Sequence, residues 1–69
     1  MKQLKGLSTL EKLIYYYIYT DGQTFYLLPD LSKILHVDSS ALAKAVKKLE
    51  IAGYLISTKI KNEKIITLP

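Results

Sequence analysis

The 69-residue chain has no cysteine, no tryptophan and no arginine, and a single histidine. Without cysteine there is neither a disulfide framework nor a thiolate metal site. One histidine, His36, cannot hold a metal alone or supply a Ser/His/Asp or Cys/His catalytic set. The acids Glu11, Asp21, Asp30, Asp38, Glu50 and Glu63 are scattered, and no glycine-rich phosphate loop is present. These absences argue against an enzyme and give no reason to expect a cofactor. No apolar run approaches the ~18 residues of a membrane span. The opening stretch, MKQLKGLSTLEK, lacks the apolar core of a secretion signal. The expectation is a cytoplasmic protein with no membrane partner.

What is present is an apolar fraction of 49%, which suits one domain over 1–69, with 1–7 a polar lead. A core of this size is small, so its elements must be well capped. The net charge is +4, and every one of the ten basic residues is lysine. Lysine is a compact point charge without the planar fork that grips guanine or a phosphate in two places. The balance suggests attraction to a polyanion more than fine reading of bases. From net charge alone, a lysine-rich solubilising surface is the plainer reading. The bias toward lysine, isoleucine and tyrosine also suits a heat-adapted or AT-rich source, such as an archaeon or its viruses.

Local signals divide the chain cleanly. Ser8-Thr9-Leu10-Glu11 matches a capping box. Leu10, Leu13, Ile14, Tyr17 and Ile18 then fall on one stripe of a helix over about Thr9 to Thr20, stopped by Asp21-Gly22. Gln23 to Leu27 favours strand but is too short to stand alone, so it must pair with a later segment. Pro29 and Asp30 open a short helix to Leu35, with Leu31, Ile34 and Leu35 inward. Asp38 is an N-cap for a third helix that ends at Gly53. On that helix Leu42, Ala45, Val46 and Leu49 define the buried side. The period then changes, and Tyr54 to Lys61 and Ile65 to Leu68 read as two strands. Pairing Ile60 with Ile66 and Thr58 with Leu68 gathers Ile56, Ile60 and Ile66 on one face, through a three-residue loop. A two-residue loop would instead pair Ile60 with Ile65; the first register is preferred because it buries more. The fold class is α+β: helix, short strand, helix, turn, helix, two-stranded hairpin, around a three-helix core.

The stretch DLSKILHVDSSALAKAVKKLEIAGYL carries a resemblance to a known family. It is similar to the core of winged helix-turn-helix transcription regulators of the MarR, ArsR and Lrp type. There, a leucine in helix two, an aliphatic residue in the turn and a late L-x-x-x-G-aliphatic-aliphatic segment frame the recognition helix. The corresponding residues are Leu31, Val37 and Leu49 to Leu55. With helix one and the hairpin, the likeness runs from about Ser8 to Leu68. It departs at His36, where glycine is common, and at Tyr54, where an aliphatic residue is common. His36 reads as a turn residue in positive φ, and Tyr54 as an aromatic at the core's edge.

That resemblance implies double-stranded DNA as partner, helix three in the major groove and the hairpin, or wing, against the backbone. Ser39 and Ser40 can donate to phosphate, as can the amides at the start of helix three. Ala43 is small enough for close approach, and Lys44 and Lys47 share its side, with Lys48 beside them. The wing adds Lys59, Lys61, Asn62 and Lys64. Any one of these lysines is equally well read as solvated surface, or as an edge guard against aggregation; the clustered set favours binding. Helix three has no Arg, Asn or Gln, so bidentate readers of G or A are missing. Either specificity is weak, or it comes from DNA shape, or DNA is not the partner.

Helix one is crowded with tyrosines. Tyr17 belongs to the inward stripe, while Tyr15 and Tyr19 are expected on the opposite side with Tyr16 flanking. Ordinary surface tyrosine and a modest homodimer interface through Tyr15, Tyr16 and Tyr19 are equally good readings. The rival to DNA binding is a winged-helix protein-interaction module of the polymerase-associated or membrane-remodelling kind.

Overall fold

The computed structural model describes residues 6–69; most of the expected polar lead lies outside them. The chain runs α1 (Thr9–Asp21), β1 (Tyr26–Leu27), α2 (Leu28–Leu35), α3 (Ser39–Ile51), β2 (Ile56–Ile60) and β3 (Glu63–Thr67). The three strands form one antiparallel sheet in the order β1-β3-β2. The architecture is therefore α+β, with three helices and a three-stranded antiparallel sheet, and the short β1 finds its partner late in the chain as expected.

Most helix ends are built from the residues that the sequence pointed to; the exception is the start of α2, which begins at Leu28 with Leu27 at its N-cap and no side-chain cap. At α1, the Glu11 amide donates to Ser8 Oγ at 3.2 Å and the Ser8 amide to Glu11 Oε1 at 3.1 Å, a reciprocal cap. At the end of α2, His36 takes φ 53 and ψ 45, the left-handed turn expected of it. Ser32 Oγ donates to the Val37 carbonyl at 2.6 Å, and the Val37 amide to the Ser32 carbonyl at 3.1 Å. The turn between α2 and α3 is thus fastened from both sides. At the end of α3, the Gly53 amide donates to the Glu50 carbonyl and the Tyr54 amide to the Leu49 carbonyl. That is a Schellman pair, and Gly53 at φ 86 supplies the left-handed residue it requires.

The core gathers Ile14, Tyr15 and Ile18 of α1, Leu31 of α2, and Leu42, Ala45, Val46 and Leu49 of α3, closed by Tyr26, Leu55 and Ile66. The α3 side matches expectation residue for residue. Burial of each such aliphatic side chain contributes about 2 kcal/mol before entropy is counted. The loop after α1 is tied down by Tyr26. Its hydroxyl accepts from the Gln23 amide at 3.2 Å and directs its proton to Asp21 Oδ2 at 3.0 Å. Burial, with the Asp21 carboxylate adding to it, raises the pKa of this phenol.

Three expectations are corrected. First, α1 is rotated from the predicted stripe. Tyr15 is only 4% exposed and packs edge-on to Tyr54 with ring centroids 5.3 Å apart, whereas Leu13 is half-exposed. The inward stripe is Glu11, Ile14, Tyr15 and Ile18. Glu11 can sit inward because its carboxylate accepts from the Ser8 amide in the cap. Second, Ile34 is half-exposed, because α2 turns only Leu31 fully inward. Third, the hairpin register differs from both registers considered. Ile60 pairs with Glu63, Lys59 with Lys64, Thr58 with Ile65, Ser57 with Ile66 and Ile56 with Thr67. The turn is Lys61-Asn62, with φ of 48 and 67, the doubly left-handed form that matches the natural twist of a hairpin. The shift moves Ile56 and Ile60 to the outer face. Tyr26, Ile66 and Ser57 instead line up across the sheet on the core side.

Candidate nucleic-acid interface

The outward side of α3 follows directly from its buried side. With Leu42, Ala45, Val46 and Leu49 inward, Ser40, Lys44, Lys47 and Ile51 fall on one exposed stripe at i, i+4, i+7, i+11, with Lys48 adjoining. Ala43 is half-buried at the border of that stripe. Ile51, at 78% exposure, is the most open large apolar side chain among the described residues. The sequence reading passed over it, although its helical spacing from Lys44 and Lys47 places it among them.

The start of α3 is less free than its sequence suggested. The Ser40 amide donates to Asp38 Oδ2 at 3.1 Å, and the Ser40 hydroxyl also donates to that oxygen. The Ser32 and Ser39 hydroxyls lie 3.4 Å apart. Ser32 has already given its one proton to Val37, so Ser39 is the donor in this contact. Both serines expected to donate to a phosphate are therefore committed within the turn. The Ser40 hydroxyl, then the Ser40 and Ala41 amides, hold the Asp38 carboxyl below its ordinary pKa. A fixed negative charge thus stands at the end of α3 that was expected to draw phosphate.

The hairpin is the more concentrated basic element. Lys59 and Lys64 face each other across β2 and β3, and Lys61 and Asn62 form the turn beyond them. Like charges directly opposite on an antiparallel pair destabilise it. Lys59, Asn62 and Lys64 line a shared hollow with Ser57 and with Glu50 from the last turn of α3. Glu50 is half-buried there. It is the acidic counterpart in a site that sequence reasoning had made wholly basic, and the mistaken register concealed it. The structure therefore gathers Lys59, Asn62 and Lys64 in one place and Lys44, Lys47 and Lys48 in another, with Glu50 on the α3 flank of the hollow.

Of the tyrosines expected at a dimer surface, Tyr16 and Tyr19 are half-exposed and Tyr15 is in the core. Compared with known proteins, the chain matches no family model, no curated protein and no solved structure. Among the described residues there is no group of three or more His, Cys, Asp or Glu placed to hold a metal ion. None of their helices is long and apolar enough to cross a membrane.

Proposed function

We propose that this chain is a winged helix-turn-helix protein that binds double-stranded DNA, as a small transcription regulator. The observation that carries this reading is the facing pair Lys59 and Lys64 on an open hairpin, with Lys61 at its turn. Such a pair costs the fold stability; Glu50 flanks it only on the α3 side of the hollow, and a phosphate lying along the open hairpin would lower the cost further. The exposed Lys44 and Lys47 on α3 provide a second basic row, on the helix that follows the turn, where this architecture presents its reading helix. The reading predicts docking strength without much sequence discrimination, because lysine and serine are weak readers of base edges.

The test is an anisotropy titration with mixed-sequence duplexes over a salt series. If about four to six lysines meet phosphates, log affinity falls against log salt with a slope near −4 to −5. Replacing Lys44, Lys47 and Lys59 together by alanine reduces that slope by about 2 to 3. Absence of binding at low salt rejects the function. An unchanged slope in the triple variant rejects this surface.

A second reading is favoured by a separate observation. Leu13, Tyr16 and Tyr19 lie half-exposed along α1, and Ile51 is open at the end of α3. A DNA-binding mode leaves the α1 residues without a role. They fit a protein-interaction module, and failure of duplex binding turns the choice toward it.

A further inference from the structure

β2 lies at one edge of the sheet, since the strand order is β1-β3-β2. Its one neighbour among the described residues, β3, satisfies part of its backbone, and the turn fixes which part. The hydrogen bond of the Lys61-Asn62 turn joins Ile60 to Glu63. Antiparallel alternation then directs the amides and carbonyls of Ile60, Thr58 and Ile56 to β3. Those of Ser57 and Lys59 point away from the sheet. The side chains of Ile56, Thr58 and Ile60 share the outer face, where the two isoleucines are 46% and 50% exposed.

We infer that this edge pairs with the same edge of a second copy of the chain, antiparallel about a two-fold axis at Thr58. The residue order Ile-Ser-Thr-Lys-Ile is nearly symmetric about its centre, and the symmetry has consequences. With the axis at Thr58, Ser57 lies opposite the partner's Lys59, and Lys59 opposite the partner's Ser57. Both residues of each pair carry outward backbone groups, so all the outward amides and carbonyls of both strands are satisfied. Ile56 lies beside the partner's Ile60 at either end, and these pairs cover apolar surface that one copy leaves open.

Charge selects this register over its neighbours. An axis at Lys59 sets Lys59 against the partner's Lys59, and like charges directly opposite are destabilising. An axis at Ser57 leaves the outward groups of Lys59 and the side chain of Ile60 without counterparts in the partner's strand. A foreign peptide would be drawn by backbone groups alone. The spacing of the isoleucines and the offset of the lysine from its own copy fit this strand in particular. Lysine is a common guard on exposed edges, but Lys59 guards only against the registers that bring it to itself. The inference is independent of nucleic-acid binding, and it places self-association on the sheet instead of on the tyrosines of α1.

The chain has no cysteine, so a single introduced thiol reports without ambiguity. Across the axis Thr58 faces its own copy in a non-hydrogen-bonded pair, where Cα atoms stand ~4.5 Å apart, within disulfide reach. Thr58→Cys is expected to form an intermolecular disulfide on mild oxidation. Tyr16→Cys, on the exposed side of α1, is expected to do so only at the rate of random collision. Sedimentation equilibrium from micromolar to millimolar concentration is expected to show a monomer–dimer equilibrium. Thr58→Lys, at an exposed position, weakens it by about tenfold or more while circular dichroism stays unchanged. A wild-type chain that sediments as a monomer throughout overturns the inference. So does Tyr16→Cys cross-linking faster than Thr58→Cys.

Discussion

Asp38 carries two tasks that oppose each other. Its carboxylate caps α3 by accepting from the Ser40 amide and hydroxyl, and the same charge stands where a phosphate would approach the helix's positive end. The hydrogen bonds from Ser40 hold its pKa below the ordinary value. A carboxyl with a depressed folded pKa stabilises the fold above its unfolded pKa, and that contribution is lost as pH falls through the folded value. At neutral pH Asp38 is therefore charged and the cap is complete. Asn is as good a cap as Asp, so Asp38→Asn separates the two tasks. It is expected to leave the fold in place, to flatten the acid limb of a thermal-stability profile, and to tighten duplex binding at low salt on the order of fivefold. Equal affinities for the variant and wild type would mean that no phosphate comes near the start of α3.

At the scale of elements, the β2–β3 hairpin holds the least settled local chemistry. Both turn residues, Lys61 and Asn62, have positive φ, a region that suits Asn and Gly and costs lysine about 1 kcal/mol. Lys61→Asn with Asn62→Gly is expected to raise global stability by about 1 kcal/mol or more in urea unfolding. A destabilised double variant would show that the turn is not of this form. The hairpin also marks where sequence reasoning fell short. The helices were legible because their signals are local and redundant: Ser8 with Glu11, His36, Asp38 and Gly53 each fix an end, and the α3 core side repeats without exception. The hairpin register is set by Lys61 and Asn62 together; Asn62 advertises left-handed geometry, but Lys61 is a poor turn former on paper, so the pair does not read as the turn. A register shifted by an odd number of residues turns every side chain to the other face, so Ile56 and Ile60 were assigned inward and Glu50 was missed. The rotation of α1 failed for a different reason. Residues 13 to 19 are apolar or tyrosine on all sides, so no stripe stands out, and a buried Glu11 could not be foreseen without knowing that its cap would satisfy it.

For the whole molecule, the two proposed surfaces are expected to respond to salt with opposite sign. The chain carries a net charge of +4. Association with a polyanion releases counterions, so duplex affinity falls as salt rises. Association of two copies through β2 brings two chains of net charge +4 together, and although Lys59 lies opposite the partner's Ser57, the lysines of both hairpins then share one extended sheet. The contacts that favour pairing are backbone hydrogen bonds and the apolar meeting of Ile56 with Ile60, neither of which is attractive electrostatics between ions. Screening lengths shorten from about 10 Å at 0.1 M salt to about 3 Å at 1 M, which removes the repulsion and leaves those contacts intact. The dimer is thus expected to tighten several-fold between 0.1 M and 1 M sodium chloride, over the range in which the proposed duplex binding is expected to be lost. Sedimentation and anisotropy on the same preparation measure both slopes. If the dimer loosens with salt alongside the duplex complex, charge attraction holds the copies together and the edge pairing of β2 is wrong. If the dimer tightens, the strand edge and the lysines act as separate surfaces, and bound DNA would promote pairing by supplying the screening that salt otherwise provides.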